Sequence, residues 1–352
     1  MYFRPEPHKD APPLQQNGRC GVMLVNLGSP RAPRAAEVRR YLAEFLSDRR
    51  TIEMSPLLWQ PILRGLVLPL RGSASAARYR SVWQDGGSPL LRHSRRQARL
   101  LDGALRQRGL QVVTCAAMRY GKPGVERALN ALKKGGCTRI LAVPMYPQYS
   151  ATTIGSASDA VHAWALRTRA VPALRVAGSF ALFTPWLQAA ANHVRRFWQR
   201  EGEPAHLVLS FHGVPQRMVE LGDPYLKECF ASAEQLAAAL GLREQHWTLA
   251  FQSRFGRGKW LDPSTQDVLR QLGQAGTPRV DVFCPGFVAD CLETLEEIGI
   301  EGKKLFQEAG GGELRLLPCL NENPDWIEAL ADWVELNLRG WVERTEPLDM
   351  EL

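Results

Sequence analysis

Two short segments carry the side chains best suited to chemistry. The first, residues 209–215, runs Leu-Ser-Phe-His-Gly-Val-Pro: an apolar stretch ends at His212, and Gly213 and Pro215 then turn the chain. That order puts an imidazole at the carboxyl end of a strand, and imidazole moves protons near neutral pH or holds a borderline metal. One histidine alone is more often structural than functional. The second segment, residues 284–298, reads CPGFVADCLETLEEI and leads from a strand into a helix expected over 289–299. Asp290, Glu293 and Glu297 are spaced by three and by four, which lines them up on one helical face. Such a stripe could relay protons or pass a divalent cation to oxygen and nitrogen ligands, and it should titrate as a coupled set. Acidic groups in a first helical turn also suit the macrodipole, a plainer account that covers Asp290 better than Glu297.

Two further pieces suit substrate handling. Met118-Arg119-Tyr120-Gly121 ends a strand with a cation and a phenol. Residues 146–156, YPQYSATTIGS, form a hydroxyl-rich loop that includes Tyr149 and Ser150. Hydroxyls, an arginine and aromatic faces would suit a flat ligand with acidic edges, since arginine binds carboxylate bidentately and stacks on conjugated rings. The same residues could instead cap turns and helices.

The elements that must position these groups alternate along the chain. Strands are expected at 21–27, 111–118, 139–143, 174–177, 207–211, 248–252, 279–283 and 314–317, with helices at 35–46, 125–134, 157–169, 184–200, 223–240, 289–299 and 324–342. Thr184 is expected to cap its helix, with Pro185 as the first helical residue. Strand–helix alternation with apolar strands implies parallel sheets covered on both faces. The expectation is an α/β chain of two Rossmann-like, doubly wound domains facing each other across a cleft, where ligands bind beyond the strands' carboxyl ends. The boundaries are a disordered leader at 1–19, a first domain at 20–157 joined by a C-terminal helix at 318–345, and a second domain at 158–317.

Residues 57–70, LLWQPILRGLVLPL, break the pattern: strongly apolar, yet interrupted by Pro61, Arg64, Gly65 and Pro69. The stretch is shorter than the ~20 residues of a membrane span. It is expected to be either a buried irregular connection or an apolar lip beside a hydrophobic ligand's cleft.

Composition sets the outer limits. The 352 residues are 45% hydrophobic and 23% charged, which suits a folded chain of two domains rather than a disordered one. The surplus of 44 basic over 36 acidic residues, +8, comes without any zinc-finger, RRM or KH pattern, so nucleic acid is not expected as a partner. Seven scattered cysteines show no C-x-x-C pair, which points to reduced thiols in a cytoplasmic protein. No GxGxxG or phosphate-cradling glycine loop appears, so the fold class does not by itself imply a dinucleotide.

Taken together, VNLGSP at 25–30, FLSDRR at 45–50, GGSPL at 86–90, MRYGKP at 118–123, YPQYSATTIGS at 146–156, SFHGVP at 210–215, FQSRFG at 251–256, WLDPST at 260–265 and CPGFVADCLETLEEI at 284–298 resemble the ferrochelatase family. The resemblance runs from about residue 21 to about residue 341 and implies a chelatase-like fold. It implies a lyase that inserts Fe2+ into protoporphyrin IX with release of two protons, in haem synthesis. His212 would be the acceptor of pyrrole protons and a candidate iron ligand, and Glu293 the opposing carboxylate, with Glu297 and Asp290 behind it. Leu27, Arg119, Tyr120, Tyr149 and Ser150 would line the porphyrin. Iron is then a substrate and no cofactor is expected. With no cysteine beyond Cys319, neither is the C-terminal iron–sulfur cluster of some members. Cys291 stands where many members place a histidine, in the Gram-negative form of the motif. Peripheral contact with the inner membrane through 57–70 is a further expectation. The rival readings are a cobalt or nickel chelatase for another tetrapyrrole and a non-catalytic haem or porphyrin binder.

Overall fold

The structure is a computed structural model, and it describes residues 18–254 and 258–342. The leader expected at 1–19 lies outside the described residues except for Gly18 and Arg19.

Two four-stranded parallel sheets form the frame. The first holds β1 (Arg19–Ser29), β2 (Val112–Gly121), β3 (Cys137–Pro144) and β4 (Ala173–Val176) in the order β2-β1-β3-β4. The second holds β5 (His206–His212), β6 (Trp247–Gln252), β7 (Arg279–Phe283) and β8 (Glu313–Leu316) in the order β6-β5-β7-β8. Both halves therefore share one plan, as the alternation of elements implies. The helices of the first half are α1 (Ala35–Phe45), α2 (Pro56–Ile62), α3 (Leu68–Val82), α4 (Pro89–Gln107), α5 (Val125–Lys134) and α6 (Ser156–Ala165). Then follow α7 (Thr184–Glu201), α8 (Gln216–Glu220), α9 (Tyr225–Leu240), α10 (Thr265–Gln274), α11 (Leu292–Leu295), α12 (Lys303–Glu308) and α13 (Pro324–Leu338).

The central strands are apolar on both faces because both faces are covered. In β1, Val22 and Leu24 join one core, with α4 and α13, while Met23 and Val25 join another, with α5 and α6. In β5, Leu207, Leu209 and Phe211 face α7 and α9, and Val208 faces α10 and α12. Helix α13 crosses back to the first half: Trp326, Ile327, Leu330, Val334 and Leu338 pack with Leu101 and Leu105 of α4. Each such side chain stabilises by about 1.5–3 kcal/mol when fully buried. Gly28 brings β1 close to β2: at φ +112 a Cβ there would lie 1.8 Å from the Tyr120 carbonyl oxygen, so only glycine fits.

The structure corrects three local expectations. Helix α7 starts at Thr184 with Phe183 as its N-cap and no side-chain cap, one residue earlier than Thr184-as-cap requires. Residues 57–70 are helical rather than irregular: α2 runs through the π turn Leu63–Val67 into α3. Most of this segment's large apolar side chains face outward, Leu57 being 87% and Leu70 69% exposed, with Leu58, Ile62 and Leu66 also exposed. Four of them (58, 62, 66 and 70) fall every fourth residue, so the segment presents an exposed apolar row and the buried reading is set aside. Third, the helix expected over 289–299 begins only at Leu292, after Cys291 as N-cap, and passes into the π segment Glu297–Gly302.

Candidate active site

His212 is the last residue of β5 and is half-buried. Its Nδ1 lies 2.6 Å from the Gly213 carbonyl oxygen. A carbonyl only accepts, so Nδ1 carries a proton, and in the neutral ring it is Nε2 that keeps a lone pair. The backbone is held as well, since the Tyr225 hydroxyl donates to the His212 carbonyl at 2.8 Å.

The neighbouring strand connects this histidine to the acidic segment. Gln252 of β6 lies beside His212 in the sheet register, and its Nε2 donates to the Glu293 carbonyl at 2.7 Å. Its Oε1 accepts from the Ser210 hydroxyl at 2.8 Å, which fixes the amide's orientation. The next residue, Ser253, has φ +65 and clamps Glu297, its N–H donating at 2.6 Å and its hydroxyl at 2.5 Å. Burial raises the Glu297 carboxyl above its ordinary range and the Glu293 charge adds to this, while the two Ser253 bonds and His212 oppose it. Glu297 thus feels both His212 and Glu293, and the three share one neighbourhood.

Across from them stands the first half of the chain. Leu292 packs on Val38 of α1 and on Ala76 and Tyr79 of α3. Leu27, at the carboxyl end of β1, packs with Leu90, Phe287, Ala289 and Cys291. The phenols of Tyr41 and Tyr79 are pushed well above their ordinary values, first by burial, and Glu293 adds to the shift of each. The segment that carries Glu293 therefore packs beside this aromatic wall, near the carboxyl end of β1.

Three sequence-stated site residues take different parts from those expected. Asp290 precedes the helix, so the three-residue spacing to Glu293 is not a helical one. It is only 5% exposed and accepts from the Thr294 hydroxyl at 3.0 Å, the Cys319 N–H at 3.2 Å and the Asn321 amide at 2.6 Å. Its carboxylate is occupied in anchoring the segment rather than extending the stripe. Tyr120 is 1% exposed, and its hydroxyl donates to Asp48 at 2.7 Å. Ser150 is buried, caps the π turn Ala151–Gly155 through the Thr152 N–H and donates to Asp223 at 3.1 Å, which is the capping role. Arg119 is bound from two sides, by Asp48 at 2.6 Å and by the Ser156 hydroxyl at 2.7 Å. Burial alone would raise the Asp48 carboxyl, but bonds from Ser156, Tyr120 and the Arg50 N–H, with the Arg119 charge, bring it below its ordinary value. Tyr149 is half-buried, its phenol close to Arg50, which is itself paired bidentately with Asp159 at 2.5 and 2.9 Å.

Cys291, which stands where many family members place a histidine, caps α11 in a capping box with Thr294. Burial, then the Glu293 charge, push its thiol well above the ordinary value, so it stays protonated. Among the described residues no three His, Cys, Asp or Glu side chains gather as a cage for a metal ion. Gln252, Ser253 and Asp48 carry positioning roles that residue types alone did not reveal. Their signal was membership of FQSRFG and FLSDRR, motifs quoted without a role for each residue.

Glu296, just before the π segment, lies 3.6 Å from Arg78 of α3, which also binds Glu301 at 2.9 Å. Burial raises the Glu296 carboxyl to about 7, against the pull of Arg78. A raised carboxyl favours the folded state while protonated, so its contribution is full below about 4.5 and is lost as pH climbs through about 7. Urea midpoints should therefore fall between pH 5 and pH 7.5 by less in Glu296→Gln than in the wild type; an equal fall in both would reject this assignment.

A pair of parallel sheets in one strand order, with their carboxyl ends facing a shared site, is the chelatase architecture. SirB from Bacillus subtilis with Fe3+ has the same fold at a TM-score of 0.54 and 14% identity, covering 90% of this chain and 94% of that one. The sirohydrochlorin chelatase SirB from Bacillus subtilis subspecies spizizenii in complex with cobalt matches at 0.52 and 12% identity, over 90% and 94%. Sequence comparison narrows the class: the family model described as ferrochelatase matches residues 19–338. A protein named ferrochelatase from Bordetella pertussis is 49% identical over 96% of this chain and 93% of its own length. Others, from Aromatoleum aromaticum and Neisseria meningitidis, are 50% and 48% identical over 94% and 96% of this chain and 90% and 99% of theirs. The chain belongs to the ferrochelatase family.

Proposed function

We propose that the protein inserts Fe2+ into protoporphyrin IX, releasing two protons and forming protohaem. The observation that carries this reading is His212 at a strand end, joined through Gln252 and Ser253 of the neighbouring strand to the segment that bears Glu293 and Glu297. A flat porphyrin shields its own nitrogens. Contacts to its faces and propionates can support an out-of-plane bend, on the order of 1–5 kcal/mol for substrate strain in general. His212 Nε2 accepts a pyrrole proton. Glu293 takes the second proton or receives the incoming ion, and Glu297, held by Ser253, passes charge toward solvent. Arg119, fixed by Asp48 and Ser156, stiffens the opposite wall. Iron is a substrate here, and the reaction as written needs no resident cofactor.

The direct test mixes the purified protein anaerobically with Fe2+ and either protoporphyrin or coproporphyrin. Conversion of the protoporphyrin spectrum to haem is expected. Binding without metal uptake would favour a carrier, and preference for cobalt or nickel a different chelatase.

The lip adds a second element. No helix among the described residues is long and apolar enough to cross a membrane. The outward row on α2 and α3 instead suits a peripheral apolar surface from which porphyrin enters and through which the chain touches the inner membrane. Changing Leu57, Leu58, Leu66 and Leu70 to serine is expected to slow porphyrin uptake several-fold without lowering the melting temperature. Unchanged uptake from detergent or liposomes would leave the row without this role.

A further inference from the structure

The loop at 318–323 is fastened to the segment that carries Glu293. Asn321 and Asp290 bond reciprocally, at 2.8 and 2.6 Å, and Asn321 is held at φ +46, where residues other than glycine are uncommon. The same loop lines a cavity of about 320 Å³ against α7. Arg196 and Arg200 reach this cavity from α7, four residues apart and thus on one helical face. Arg196 is held in place by Asp325 at 2.8 Å and Asn323 at 3.3 Å. Arg200 has no hydrogen-bond or ion-pair partner among the described residues.

Asp325 balances Arg196, and the other lining groups leave the charge of Arg200 uncancelled. His193 is neutral: its Nε2–H donates to the Pro318 carbonyl at 2.9 Å and its Nδ1 accepts from the Asn323 amide at 3.1 Å. Glu322, the acid in the wall, is already engaged by His93 at 3.0 Å and Arg96 at 3.7 Å. We propose that this cavity binds a small polyvalent oxyanion, a phosphate or a polycarboxylate, between Arg200, Arg196 and the 318–323 loop. Its size is that of a small-ligand site, and guanidinium groups suit both classes of oxyanion. An anion bridging α7 and the loop would also tighten the hold of Asn321 on Asp290, and through it the start of α11. Among the described residues, none of these bonds directly to His212, Glu293 or Glu297.

The test is calorimetric titration of the full chain with inorganic phosphate and, separately, with citrate, using chloride at matched ionic strength as the reference. Saturable binding of phosphate, citrate or both is expected, and which of them binds identifies the class. Arg200→Gln should weaken it about tenfold, the effect of one lost charge-assisted bond, with Fe2+ insertion in anion-free buffer unchanged. Arg200→Lys should fall between. Arg196→Gln provides a second variant with the same expectation. No saturable binding, or equal binding by wild type and both glutamine variants, overturns the site.

Discussion

Replacing His212 with alanine is expected to lower the rate of iron insertion on the order of a thousandfold while porphyrin still binds. The side chain's own hydrogen bond is to the adjacent Gly213 carbonyl, so its loss removes little from the fold. The strand remains paired with Gln252, and Tyr225 still donates to the backbone carbonyl at position 212. What disappears is the Nε2 lone pair, the group able to accept a pyrrole proton at that strand end. Loss of porphyrin fluorescence under anaerobic Fe2+ measures the rate, and quenching titration measures binding. Added imidazole should restore part of the activity, because it returns the base without the tether. Turnover near that of the wild type would remove His212 from the mechanism.

Glu293→Gln is expected to slow insertion about a hundredfold and to move the melting temperature by less than about 2 °C. The plain alternative is that the carboxylate serves the helix dipole. Helix α11 continues through the π segment Glu297–Gly302 into α12, and a carboxylate in its first turn is worth about 0.3–1 kcal/mol to that dipole, too little for a large shift in melting temperature. The bond that ties this residue into the fold comes from Gln252 to its backbone carbonyl, which glutamine retains. The variant therefore separates charge from structure. A drop of many degrees with turnover nearly intact would mark Glu293 as a structural group and leave the proton path to Glu297.

The sequence by itself determined the two-sheet plan, the strand ends and that residues 57–70 break the pattern, while their exposure was left to the tertiary structure. These rest on local signals: apolar runs at 21–27 and 207–211 can only be covered on both faces, and Gly213 and Pro215 can only end a strand. The family motifs added the pairing of His212 with the acidic segment. Tertiary structure alone decided how that segment is built. Asp290 left the expected helix because Asn321, 31 positions away, and the Cys319 N–H hold its carboxylate, and Cys291 with Thr294 then sets the helix start. The clamp of Ser253 on Glu297 joins groups 44 positions apart, and the Asp48 bond to Tyr120 joins groups 72 apart. Periodicity carries no information at such separations. Those bonds exist only once two sheets and their connecting loops have folded to fixed registers, and they decide which polar groups are satisfied inside the protein and which are left available for chemistry.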